Sequence, residues 1–249
     1  MNPYPVYIKN KTTMNTNSNT YTIAYASIMV VVVAFLLAFV SSALKPTQDK
    51  NVELDKKKQI LAALNIRDLA GTEAVEQKYD EVVNADMIIN AKGDTLNAGA
   101  DKDMAGFRVE TKDISAESLP LYVCKVGDDV KYVVPVSGRG LWGGLWGYVA
   151  LDADCKTVFG AYFSHESETA GLGALLAEQK FQDLFKGKQV FADSAAASVA
   201  LTIVKKGQVK HPEYEVDGLT GATLTTNGAA AMVNDGLQSY IGFFQTVNK

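Results

Sequence analysis

The first long run of apolar positions is unbroken: Ile23 to Val40 reads IAYASIMVVVVAFLLAFV, without a charge. With Tyr21 before it and Ser41, Ser42, Ala43 and Leu44 after it, the run is long enough to cross a bilayer as a helix. The pattern predicts one transmembrane helix over residues 21–44, after a tail over 1–20 rich in Asn and Thr. A cleaved signal peptide is the rival reading, since Ser41-Ser42-Ala43 resembles a cleavage site. The run is longer than an h-region needs, which favours an uncleaved span.

From Asn51 onward the pattern becomes charged and mixed. Asp55 to Asn65 puts Ile60, Leu61 and Leu64 on one helical face. Thr72 to Asn84 predicts a second helix, capped by Thr72, with Val75, Tyr79, Val82 and Val83 at helical spacing. Met87-Ile88-Ile89, then Lys92-Gly93-Asp94, reads as a strand and a turn. Leu119 to Val136 predicts a hairpin turning at Gly127-Asp128-Asp129, and Tyr148 to Ser164 a second one turning at residues 153–156. Ala174 to Lys186 reads as an amphipathic helix with Ala177, Phe181, Leu184 and Phe185 on one face, ended by Gly187.

Ala200 to Val204 reads as a strand and His211-Pro212 as a surface turn. A last helix runs from about Gly228 toward Phe244, capped by Thr226 or Asn227, with Val233, Leu237, Tyr240, Ile241 and Phe244 as its apolar stripe. Helices, then hairpins, then helix–strand–helix predict an α+β fold. It is an antiparallel sheet with packed helices, preceded by one N-terminal transmembrane helix.

Composition narrows the partners. The chain has 249 residues, 47% of them hydrophobic, enough for one anchor and one sizeable domain. The net charge of -4 gives no basic excess, so nucleic acid is not an expected partner. Cys124 and Cys155 form no C-x-x-C pair and no metal-ligand cluster. Each lies in an apolar run and reads as a buried structural thiol; a disulfide needs an oxidising compartment and a close approach.

Candidate chemistry gathers in three small-residue stretches. Residues 137–147 read SGRGLWGGLWG, where the tryptophans either dock in the core or wall a cofactor. Residues 165–173 read HESETAGLG and leave three readings open. His165, Glu166 and Glu168 are metal-ligand types, but lack the helical H-x-x-x-H spacing. An acid–base pair has no identified substrate. A turn cradling a ligand with backbone and hydroxyl donors is the third. Finally, Asp217 to Gly228 reads DGLTGATLTTNG, with hydroxyls, small residues and a helix start, a combination suited to phosphate.

This last stretch resembles the D-x-x-[ST]-G-A-T flavinylation motif. That motif belongs to the FMN-binding domain family of the NqrC subunit of the Na+-translocating NADH:quinone reductase and of its relative, the RnfG subunit of the Rnf electron-transport complex. The resemblance implies FMN joined through a phosphoester to Thr223. Asp217 is then the motif acid, and Thr220, Gly221 and Ala222 complete the pattern. The family's E-T-P-G-L-G run implies that Glu168, Thr169, Leu172 and Gly173 line the flavin, although Ala170 stands where the family usually has Pro. The S-G-x-G-L-W run carries over as Gly140, Leu141 and Trp142, and a basic residue near Lys205 is implied as well. Lys205 also reads, with Lys206, as a solvated basic turn.

A threonine hydroxyl is a poor nucleophile without an adjacent base, and no His lies within the motif. The resemblance implies a separate flavin transferase for maturation. Thr225 and Thr226 read as helix caps rather than attachment sites.

The implied activity is electron transfer within a membrane NADH:quinone reductase, to which this chain contributes as a subunit that is not catalytic alone. No G-x-G-x-x-G in the chain follows a strand and opens a helix, as a nucleotide fingerprint would, and an uncharged single span offers no ion path. NADH oxidation, quinone reduction and Na+ translocation are therefore left to partner subunits. Lysine counts around the span do not settle orientation. The resemblance implies a cytoplasmic tail (1–20), an inner-membrane helix (21–44) and an extracytoplasmic FMN-binding domain (45–249). The Rnf counterpart and a membrane-tethered interaction domain without covalent cofactor are the alternatives.

Overall fold

The computed structural model describes residues 16, 18–98, 105–110, 113–193 and 198–247. Contacts divide the chain into two compact units, 1–52 and 53–249. The 1–20 tail lies almost wholly outside the described residues.

The first unit is helical. Helix α1 (Asn19–Ala63) begins in it and contains a stretch long and apolar enough to cross a membrane. Ile23, Val30, Phe35, Leu37 and Phe39 are all exposed along it. A helix apolar on every side has no polar face to turn to water, and such a helix suits a lipid surrounding. Residues 45–54, where the sequence pattern lapses, are helical too, and Pro46 lies inside the helix.

In the second unit α1 ends in a Schellman arrangement. Asn65 takes φ +60°, its N–H donates to Ala62 O at 3.0 Å, and Ile66 N–H donates to Leu61 O at 2.9 Å. Helix α2 (Thr72–Val82) follows. Thr72 does not cap it: it is the first helical residue, and Gly71 at φ +86° occupies the cap without a side-chain bond. Val83, assigned to this helix by its spacing, instead opens a strand.

The strands are β1 (Val83–Ile89), β2 (Thr95–Ala98), β3 (Leu119–Val126), β4 (Asp129–Arg139), β5 (Gly144–Asp152) and β6 (Val158–His165). They form one antiparallel sheet in the order β2-β1-β3-β4-β5-β6. Both predicted hairpins are present, the first turning at Gly127-Asp128 with Gly127 at φ +64°. Most of the glycine-rich run is strand, and only residues 140–143 form the tip between β4 and β5.

Both faces of the sheet are covered. On one, Tyr122, Cys124, Val133, Tyr148 and Ala150 pack with Ile60, Leu61, Val75 and Tyr79 of α1 and α2. On the other, Leu119, Leu121, Val134, Val136 and Val149 pack beneath the C-terminal helices. Alternate side chains of each strand point to opposite faces, so one strand serves both cores.

The predicted helix over 174–186 is not continuous. It is a 3-10 turn (Gly173–Ala177), a short helix α3 (Gln179–Gln182) and a second 3-10 turn (Asp183–Phe185), broken at extended Glu178. Phe181 and Phe185 are buried as predicted; Ala177 and Leu184 are exposed. The break lets Gln182 reach the edge of β6, where its Nε2 donates to Phe163 O at 2.9 Å and its Oε1 accepts from Arg67. Covering an edge strand's carbonyls outweighs helix continuity here.

After it, β7 (Thr202–Val204) and β8 (Glu215–Asp217) pair in parallel as a separate two-stranded sheet. Helices α4 (Thr223–Gln238) and α5 (Ile241–Val247) close the fold. Val233, Leu237, Tyr240 and Phe244 are buried, as the stripe predicts. Tyr240 donates its hydroxyl to Pro120 O at 2.8 Å, joining the end of α4 to β3. Tyr240→Phe leaves that buried carbonyl short of a partner. We expect a stability loss of about 1–2 kcal/mol, read from the urea midpoint at unchanged m-value.

Cys124 and Cys155 are both buried. Burial pushes the Cys155 thiol up to about 12, with Asp154 adding to the effect. A thiol held neutral in this way is an inert packing group.

Candidate flavin site

The site begins with sheet register. Leu145 of β5 pairs with His165 of β6, so the 140–143 tip lies beside the chain leaving β6. Residues 166–168 fasten the two together. Gly144 N–H donates to Glu166 at 3.1 Å, Ser167 Oγ donates to Trp142 O at 3.1 Å, and Trp142 N–H donates to Glu168 Oε1 at 2.8 Å. His165 Nδ1 accepts from the Glu168 N–H at 3.2 Å. The histidine and the two acids thus accept backbone N–H groups of this loop pair.

Glu168 is 7% exposed, and its second oxygen accepts the Thr225 hydroxyl at 2.5 Å. Burial disfavours its charge, but the bonds from Thr225, Trp142 and Gly143 outweigh that and hold its pKa below the usual carboxylate range. Two glycines make room for the carboxylate: a Cβ on Gly140 or on Gly173 would lie 2.5 Å from one of its oxygens. Thr169 shapes the next turn, its carbonyl accepting from Leu172 and Ala174, both at 3.1 Å.

The motif itself bridges β8 and α4. Asp217 ends β8, where it pairs with Lys206 Nζ at 2.7 Å and accepts from Gly207 N–H at 2.6 Å. Burial raises its pKa, but these bonds and the Gly218 N–H outweigh burial and lower it overall. Lys206, not the neighbouring Lys205, therefore holds the motif acid; both lysines are exposed. Gly221 adopts φ +73°, a conformation that turns the chain into α4.

Helix α4 starts at Thr223, with Ala222 as its cap, five residues before the start expected from the sequence. Neither Thr225 nor Thr226 is a cap. Both are 2% exposed: Thr225 serves Glu168, and Thr226 Oγ1 accepts from Leu219 N–H at 3.1 Å. Thr223 is exposed in the first turn, where helical geometry leaves the first N–H groups without intrahelical acceptors.

Gly140, Trp142, Glu168 and Gly173 are thus joined to the first turn of α4 through Thr225, and a Cβ on Gly221 would touch Leu172 at 3.1 Å. Leu141 (46%), Trp142 (64%), Leu172 (42%) and Leu224 (60%) are large apolar side chains left exposed in these segments. Asp217 and Thr220 line something else, a cavity of about 400 Å³ shared with Lys206, Leu219, Leu175 and Phe181. The residues that sequence reasoning missed are Thr225 and Lys206, and no local signal marks either partner.

Comparison with known proteins matches residues 140–238 to the FMN-binding domain family. That match runs from the hairpin tip through α4 and contains every element of the site. The NqrC subunit of the Na(+)-translocating NADH-quinone reductase of Haemophilus ducreyi is 32% identical over 230 residues, covering 86% of this chain and 88% of that protein.

The chain belongs to the NqrC family.

The corresponding Pseudomonas aeruginosa protein is 29% identical over 91% of this chain and 96% of its own length. The crystal structure of the Parabacteroides distasonis protein superposes with a TM-score of 0.73 at 33% identity, covering 81% of this chain and 96% of that one. Shewanella oneidensis NqrC shares the fold, with a TM-score of 0.65 at 22% identity over 78% of this chain and 97% of its own. The α+β architecture expected from the sequence is therefore the fold of the NqrC family.

A phosphorylated ligand fits the residues present. The exposed Thr223 hydroxyl stands where the helix dipole and free N–H groups favour an anion. Exposed Trp142, Leu172 and Leu224 offer apolar surface to a flat ring.

Proposed function

We propose that this chain is the electron-transfer subunit of a Na+-translocating NADH:quinone oxidoreductase and carries FMN as a phosphoester on Thr223. One observation carries the attachment site. Among the motif threonines, Thr225 and Thr226 are buried and engaged, whereas Thr223 is exposed at the first helical position. A transferase that delivers a phosphate from solvent meets Thr223 with its hydroxyl open. Thr220 is exposed too, but precedes Gly221 and lies outside the helix start.

FMN bound there supplies reversible acceptance and release of electrons. The chain's own residues bind and orient it. The N–H groups of the first α4 turn and the helix dipole would favour the negative charge of a phosphodiester at Thr223. The exposed Leu141, Trp142, Leu172 and Leu224 would supply apolar surface to shield the flavin ring from water. Thr169 and Gly173 shape the turn beneath, while Asp217, Gly218 and Lys206 fix the chain entering Gly221. The bond to Thr223 prevents loss of the cofactor.

In this reading α1 anchors the protein in the inner membrane at residues 21–44. Residues 45–249 form the FMN-binding domain outside the cytoplasm, and a flavin transferase matures it. Other subunits of the complex oxidise NADH, reduce quinone and move Na+. The test is a digest of protein produced with the transferase. The peptide spanning Asp217 to Gly228 should be heavier by one FMN less water, and the intact chain should fluoresce on a denaturing gel. An unmodified peptide throughout would reduce the reading to an anchored domain.

A further inference from the structure

The Glu168 carboxylate joins three chain segments that sequence separates. It lies on the 166–173 turn, accepts from Trp142 N–H of the hairpin tip at 2.8 Å, and accepts from Thr225 of the first α4 turn at 2.5 Å. Gly140 and Gly173 close around it so tightly that a methyl group on either would collide with an oxygen. At 7% exposure, most of its surface is already taken by protein. Both oxygens have protein donors, so the carboxylate is committed to holding chain together.

We propose that Glu168 is a positioning residue that acts through Thr225: the bridge from Trp142 to Thr225 holds the Thr223 turn and the Trp142 wall in one register for flavin attachment. Thr225 follows Thr223 by two positions, so fixing its side chain fixes the rotation of the first helical turn. That rotation sets where the Thr223 hydroxyl points. The same carboxylate sets the height of the Trp142 backbone. Bonds to a charged acceptor in a partly dry site are strong, and each removed partner leaves a buried group unpaired.

This rests on the flavin reading of Thr223, and the experiment separates the two. Full-length Glu168→Ala, Glu168→Gln, Thr225→Val and Thr225→Ser chains are produced with the transferase. Flavin load is read from intact mass, and amide hydrogen exchange is read on unloaded chains. Thr225→Val should cut the load about tenfold, as loss of one charged hydrogen bond implies, and Glu168→Ala, which also loses the bond from Trp142, should cut it at least as far. Both should speed exchange about tenfold at residues 142–143 and at the first hydrogen-bonded amides of α4, 226–229, with the β4–β5 pairing unchanged.

Thr225→Ser keeps the donor and should load like the unaltered chain. Glu168→Gln can still accept from Trp142 and can donate to the Thr225 oxygen, so it should load well. Full loading of Thr225→Val overturns the proposal. So does a Glu168→Gln chain that loads as poorly as Glu168→Ala, because charge alone would then matter; this comparison stands even if Thr225→Val fails to fold. If the unaltered chain carries no FMN, the flavin reading fails. The exchange pattern then decides the bridge by itself: unchanged protection at 142–143 and 226–229 in Glu168→Ala overturns it.

Discussion

Thr223→Ala should abolish the mass increment of one FMN less water and leave the domain folded. The Thr223 side chain is exposed and begins α4, with no core contact to lose. A surface change of this kind shifts stability by no more than ~0.5 kcal/mol, so the melting curve should be nearly unchanged. The other threonine hydroxyls of the helix cannot substitute. Thr225 is held by Glu168 and Thr226 by Leu219, and both are buried. Thr223→Ser keeps an exposed oxygen at the same helical position and should regain at least part of the increment. Intact mass of the three proteins, made with the same transferase, checks this. An increment that survives in Thr223→Ala moves the attachment elsewhere.

Gly228→Val should have the largest effect on stability, and through it on the site. Helix α4 approaches β4 and the hairpin tip through Gly228 and Gly236. A Cβ on Gly228 would lie 2.1 Å from Arg139 O, and one on Gly236 would lie 2.7 Å from Val136 Cγ1. Opposite them, Gly138 admits Met232 equally closely. Arg139 O is backbone at the end of a paired strand and cannot swing aside as a side chain can. Glycine inside a helix costs about 1 kcal/mol relative to Ala, and this contact explains its use here.

The branched valine must lift α4 from the sheet or bend β4. Either carries an overpacking penalty of about 1–3 kcal/mol, and separates Thr225 from Glu168. We expect a lower urea midpoint and a lower flavin load in the same variant. A stability equal to the unaltered chain would mean that α4 does not sit this close.

How much of this was legible beforehand depends on the range over which each signal acts. The two hairpins were legible because alternation and turn residues are local, and Gly127-Asp128 marks its own turn. The stripe from Val233 to Phe244 was legible because its period is local too. The start of α4 was misplaced for a specific reason. Thr226 and Asn227 look like caps when the only visible acceptors and donors are their neighbours. In the structure Thr226 instead accepts from Leu219 N–H, and Thr225 serves Glu168, 57 residues before it. Nothing local tells which of the adjacent Lys205 and Lys206 meets Asp217. That is decided by the parallel pairing of β7 with β8, which aligns Val204 with Asp217.

By itself, the sequence determined the apolar span, the two hairpins, the apolar stripe of the last helical segment, and the Asp217–Thr223 pattern shared with the FMN-binding domain family. Those follow from side-chain period and spacing, properties of a few adjacent residues. Only the tertiary structure decided which threonine remains open. Exposure and hydrogen-bond partnership arise when β6, the hairpin tip and α4 are packed together, and no short window of residues contains all three.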